Sequence, residues 1–194
     1  ESAKFAVGYL FLSGLEAIHS KLAGVTKLRL LIGNTSSKET IEQISEGYKR
    51  LELVKATEEK EQYLKRGDTK RRIEATATNL RRTVELMDQT NDGESLVKTL
   101  IQLIEEKRLE VKVFTKGRLH AKAYIFDYPS EGHYEKGIAI VGSSNLTPSG
   151  MRYSQELNLG VYADPLPGKI KDWFDKQWDA AEDLDLAGIY KELL

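Results

Sequence analysis

From Val111 to Tyr162 the chain runs through four short apolar segments, Val111–Phe114, Leu119–Phe126, Ile138–Val141 and Leu157–Tyr162, separated by tight loops of Gly, Ser, Asn and Pro. Such segments have strand length and are too short for stable helices, so each needs neighbours to complete its backbone hydrogen bonds. The first part supplies them. Lys4–Leu12, rich in Phe, Val, Tyr and Leu, predicts a buried strand, and Lys27–Ile32 predicts another. Between them, Leu15, Ile18 and Leu22 define a helix with Ser13 as its N-cap and Gly24 as its stop. Gly33-Asn34-Thr35-Ser36 turns the chain. Residues 38–87 are polar, have helical propensity and contain few breakers besides Gly47 and Gly67, which predicts two or three polar helices. A further helix from Gly93 places Leu96, Leu100, Leu103 and Ile104 on one face. Leu166–Leu194 predicts a closing helical region that carries Trp173, Phe174 and Trp178 as core or interface anchors. This order gives an α/β class, a mixed β-sheet flanked by helices, in a single domain over residues 1–194 with a helical insertion at 36–92.

Composition narrows the function. Apolar residues make up 40% of the chain and charged residues 30%, enough for a sizeable core. No apolar run approaches the roughly 20 residues that span a bilayer. The absence of cysteine excludes disulfides and thiolate metal sites and fits a cytoplasmic setting. The chain starts at Glu1, without Met or a signal-peptide pattern, and enters an apolar segment almost at once, which reads as a piece of a longer protein. The net charge of −1 does not announce a nucleic-acid binder. It is unevenly spread, however: Lys49 to Arg82 holds eleven basic residues against six acidic, a net of +5, and Lys169 to Leu194 carries −3. The basic stretch is a solvated helical face or a phosphate-backbone contact.

One strand carries unusual chemistry. In Arg118–Asp127 successive side chains alternate, so His120 and Lys122 share one face while Leu119, Ala121, Ala123 and Ile125 share the other. An imidazole beside an ammonium invites an anion, and the lysine charge favours the neutral, nucleophilic ring. Gly142-Ser143-Ser144-Asn145 follows the next strand, where glycine permits close approach of a ligand and Ser143 and Asn145 add polar groups. Glu156 opens the last strand, and a carboxylate there can accept the second ring N–H of a histidine.

These residues resemble the phospholipase D superfamily. His120-x-Lys122 with Asp127 matches its H-x-K-x4-D signature, and Gly142-Ser143-x-Asn145 matches the G-S-x-N that follows it. Glu156 lies where small bacterial nucleases of the superfamily place their glutamate. Val7–Leu15, Leu30–Gly33 and Trp173–Trp178 look like phospholipase-D-like domains at the front of bacterial and archaeal helicases. The resemblance implies a phosphodiesterase without metal or other cofactor, most readily a nuclease-type module acting on DNA. His120 would form a phosphohistidine. Lys122, Ser143 and Asn145 would hold phosphate oxygens, Glu156 would orient His120, and Asp127 would more often support the structure than touch substrate.

The chain carries one signature, whereas a complete site of the superfamily needs two. Neither His19 nor His133 is followed by lysine two residues later. A homodimer completing the site is therefore implied, its apolar rim drawing on Trp173 or Trp178; a fused partner domain is the competing source. The alternative functions are a non-catalytic DNA-binding module of a helicase and, less favoured, a phospholipid hydrolase, because no interfacial amphipathic anchor is evident.

Overall fold

A computed structural model of the chain describes residues 2–8, 14–15, 18–22, 24–33, 69–85, 91–128, 136–146, 155–162 and 165–185. The strands are β1 (Ser2–Val7), β2 (Lys27–Gly33), β3 (Leu109–Phe114), β4 (Lys122–Asp127), β5 (Gly137–Gly142), β6 (Asn158–Val161) and β7 (Glu182–Asp183). The helices are α1 (His19–Leu22), α2 (Thr69–Glu85), α3 (Asn91–Glu105) and α4 (Leu166–Asp179). One sheet runs in the order β6-β5-β4-β1-β2-β3-β7. β1, β2 and β3 are parallel neighbours, and every other pairing is antiparallel. Parallel neighbours need crossover connections; α1 lies in the first, α2 and α3 in the second. The mixed, helix-flanked sheet inferred from the sequence is the observed architecture.

Alternation sorts the apolar residues onto two faces. Phe5 and Val7, Leu28, Leu30 and Ile32, Val111 and Val113, and Tyr124 face α1 and α3, where Leu22, Leu96, Leu100 and Leu103 close the larger core. The face foreseen for the helix near Gly93 is thus the packed one, with Ile104 partly buried at its margin. On the opposite side Ala6, Leu31, Ala123, Ile125 and Ala139 meet Phe174 and Trp178 of α4. Lys4, which interrupts the apolar run of β1, is buried because its ammonium reaches Asp175 of α4 at 2.9 Å.

Several expectations change. The strand expected at 119–126 begins only at Lys122, because the preceding residues leave the ladder to cross the sheet. The closing helix stops at Asp179. Glu182 and Asp183 then pair with Val113 and Lys112, and Leu184 N–H donates to Val111 O at 3.2 Å, which seats Leu184 in the larger core. Trp178 is no interface anchor. It is buried against the sheet with Arg29 and Lys112 over its ring, 5.4 and 5.3 Å from the centroid, so only Trp173 remains at the surface. Tyr9–Ser13, residues 34–68 (most of the foreseen insertion), His133 and residues 186–194 lie outside the described residues.

Candidate active site

Strand register gathers the candidate residues. Val7 pairs with Ile32 on one side and Lys122 on the other, Ala123 pairs with Val141, and Gly142 pairs with Asn158. The carboxyl ends of β1, β2, β3 and β5 therefore share one rim with the amino ends of β4 and β6. The 115–121 loop runs along that rim from the end of β3 to the start of β4. Gly8 and Gly33 let it lie flat. A Cβ on Gly33 would stand 2.6 Å from Gly8 O and 2.8 Å from Leu119 O, and one on Gly8 would meet Leu119 O at 3.3 Å and Asn145 Oδ1 at 3.4 Å. Leu119, Ala121, Ala123 and Ile125 pack toward α4, as alternation requires, and turn His120 and Lys122 the other way.

His120 is exposed and Lys122 is buried, at 7% exposure. The Lys122 ammonium sits 2.9 Å from His120 Nε2 and 3.2 Å from Nδ1, and donates to His120 O at 3.3 Å. An ammonium can only donate, so this contact requires a neutral, accepting ring. Desolvation, then the Lys122 and Arg118 charges, hold the His120 pKa below the ordinary histidine value. Burial also lowers Lys122, with Arg118 acting the same way; the Glu156 carboxylate pulls in the opposite direction. The Lys122 ammonium against the His120 ring, with the Arg118 charge felt by both, gives this part of the rim a positive potential suited to a negatively charged ligand.

The Gly142–Asn145 loop is braced from three directions. The Ser143 hydroxyl donates to Glu156 Oε2 and accepts Leu157 N–H at 3.1 Å, while Ser143 N–H donates to Leu157 O at 3.1 Å. Tyr124 donates its phenol to Ser144 O at 2.8 Å, and Asn158 Nδ2 donates to Ser144 Oγ at 2.7 Å. Burial, followed by the Glu156 charge, raises the Tyr124 pKa far above its ordinary value, so the phenol stays a donor. Asn145 is buried beside Gly8, on the side where His120 crosses.

Five of the six candidates, His120, Lys122, Ser143, Asn145 and Glu156, thus stand on one rim. Asp127 does not. It ends β4, five residues from Lys122 and therefore roughly 17 Å away at about 3.4 Å per residue. There it accepts from Ser2 Oγ at 3.1 Å and pairs with Lys171 of α4 at 3.1 Å, a tie between three elements. Its place among catalytic candidates is corrected on that ground. The orienting contact foreseen from Glu156 to His120 is not made within the chain either; Glu156 holds Ser143. Sequence reasoning passed over Tyr124, whose spacing from Lys122 puts both on one face, and Gly33, read only as a turn. Among the described residues no His, Cys, Asp and Glu cluster could hold a metal ion, and no helix is long and apolar enough to cross a membrane.

Residues 15–178 match the family model described as cardiolipin synthase, PLD-like domain. No curated protein matches the chain. Among solved structures, NucT from Helicobacter pylori superposes with a TM-score of 0.46 at 14% identity, covering 94% of this chain and 82% of that one. The phospholipase D family member Nuc from Salmonella typhimurium gives 0.46 at 11% identity, covering 94% and 80%. The phosphatidylserine synthase of Haemophilus influenzae gives 0.50 at 15% identity, covering all of this chain and 38% of that one.

Proposed function

The chain belongs to the phospholipase-D-like domain family, and from that premise we propose that it is a phosphodiesterase that cleaves nucleic acid, DNA foremost, through a phosphohistidine and without a metal ion. The observation that carries the reading is the His120 ring held against the Lys122 ammonium, which together with burial favours the neutral ring. A phosphodiester drawn to this rim would engage the Lys122 ammonium through a non-bridging oxygen and so free the ring-nitrogen lone pair to attack phosphorus. The N–P bond forms as the P–O bond to the leaving group breaks. Negative charge on the non-bridging oxygens is met by Lys122, Asn145 and Ser143. Water then displaces the histidine and releases the phosphomonoester. The leaving oxygen needs a proton, and the attacking water must lose one, so a second histidine is required.

A second copy of the chain is the proposed source. Supporting this, Leu157 and Leu159 are 83% and 68% exposed at the sheet edge that also carries Glu156, and Val141, the register partner of Leu159, continues the apolar strip on the α4 face of that edge. Such a strip bordering an incomplete site suits a two-fold contact, which would bring two copies of the His120 rim to one phosphate. Glu156 would then orient the ring across the axis. The proposal extends to a module fused to a helicase, on the likeness of Val7–Leu15 and Trp173–Trp178 to such domains.

The test is incubation with labelled single- and double-stranded DNA in EDTA, wild type against His120→Ala. Cleavage should continue in EDTA and fall by on the order of 10³-fold or more in the variant, as loss of a nucleophile requires. Binding without cleavage in wild type would instead support the non-catalytic module. The exposed apolar strip also favours a lipid substrate if the chain stays monomeric; turnover of anionic phospholipid vesicles in preference to DNA would establish that reading.

A further inference from the structure

His120 divides the rim into unlike halves. Beyond Asn145 lie β5 and β6 with their exposed apolar residues. On the other side the 115–121 loop carries Lys116 and Arg118, both exposed. Helix α2, the described part of the basic stretch, begins against this loop, because Arg72 Nη1 donates to Thr115 O at 2.6 Å. Its rotation is fixed by Thr76, which is buried, and by Ile73 and Ala77, which pack on the larger core. Lys70 and Arg71 in its first turn are consequently exposed, the turn holds no acidic residue, and the nearest carboxylate on the helix is Glu74.

The loop spans the sheet from β3 past β2 and β1 to β4, three strand spacings of about 4.8 Å, or roughly 14 Å. Each strand of a double helix advances about 3.4 Å per nucleotide along the axis, so the span corresponds to roughly four phosphates of a strand in that form, and to fewer of an extended single strand. Resting on the phosphodiesterase reading above, we infer that Lys70, Arg71, Lys116 and Arg118 form a phosphate-backbone track that leads a strand of nucleic acid to His120. The track selects polymeric substrates over lipid headgroups and small diesters. In a two-fold dimer joined at the apolar half, the two tracks would run outward on opposite sides of the shared site, giving one continuous basic path with the scissile phosphate at its middle.

The experiment compares the full chain with a Lys70→Ala/Lys116→Ala double variant. Binding of a labelled single-stranded oligonucleotide is measured by anisotropy in the His120→Ala background from about 0.05 to 0.3 M salt. Turnover of the oligonucleotide and of bis(p-nitrophenyl) phosphate is measured with His120 intact. Each lost single-strand contact lowers the salt slope by about 0.7, which at 0.1 M salt is about fivefold in affinity. The double variant should therefore bind roughly 25-fold more weakly with a slope smaller by about 1.4. Its kcat/KM for the oligonucleotide should fall by a like factor relative to the small diester. Lys136→Ala, exposed at the far end of the sheet, should change neither quantity. An unchanged slope and an unchanged turnover ratio in the double variant would overturn the track. Hydrolysis of neither substrate would instead overturn the phosphodiesterase reading, and the binding data would still decide the track.

Discussion

Replacing Lys122 with methionine should make the protein more stable and inactive at once. The Lys122 ammonium is buried, its nearest neighbours are the His120 ring nitrogens and carbonyl, and desolvation dominates its lowered pKa. Replacing a buried ion pair by apolar residues of similar volume is neutral or stabilising by about 1–4 kcal/mol, and a single buried ammonium whose carboxylate partner stays solvated carries part of that desolvation cost. Glu156 repays part of the cost, so the lower part of that range, about 1–2 kcal/mol, applies. For a chain of this size this raises the Tm by roughly 2–8 °C. The sign of the pH dependence follows. With its folded pKa depressed, Lys122 is more protonated in the unfolded chain at pH values between the folded and unfolded pKa. Wild-type stability therefore rises with pH across that interval, and the advantage of Lys122→Met should shrink toward alkaline pH. Inorganic phosphate should stabilise wild type by about 1.4 kcal/mol at ten times its Kd and leave the variant largely unmoved. Differential scanning calorimetry from pH 7.5 upward, with and without phosphate, reads all three. A variant less stable than wild type in phosphate-free buffer, or an advantage that widens with pH, would refute the argument that Lys122 is a buried charge held at a cost in stability.

Arg118→Ala removes a cation that depresses the His120 pKa; since attack needs the neutral ring, the acid limb of the kcat/KM profile should move to higher pH. An unmoved limb would mean that His120 does not govern it. Leu159→Glu places a charge in the exposed apolar strip and should turn a sedimenting dimer into a monomer, abolishing hydrolysis with little change in the thermal melt; a fully active monomer would remove the need for a second copy. Gly33→Ala drives a methyl group to within 2.6 Å of Gly8 O and should cost about 1–3 kcal/mol in urea unfolding while lowering kcat through the displaced loop.

Much of this was legible in the chain. The apolar segments after Val111 correspond to strands, and alternation around His120 correctly divided the side chains that pack under α4 from the pair that faces the site. The rest was hidden for physical reasons. β7 spans two residues, too few for any periodicity, and exists because β3 offers it a free edge. Trp178 is fixed by Arg29 and Lys112, contacts across a long sequence separation that no local pattern announces. Tyr124 anchors its loop through the carbonyl of Ser144, and every residue has a carbonyl. Asp127 was legible in principle, since five strand residues from Lys122 already put it at the opposite end of β4, yet its place in a motif drew it toward the site.

Loops that carry reactive groups ordinarily trade precision for freedom. The segment bearing His120 does not have to. Because Gly8 and Gly33 present bare backbone beneath it, the loop rests directly on main chain, with no side-chain rotamers in between to loosen the seat. Its vertical position is then set by the thickness of peptide groups, which scarcely varies, and its motion is tied to that of the central strands. If His120 is the nucleophile proposed above, this seating would supply the positional restraint that in-line attack demands, although the residue belongs to no helix and no strand.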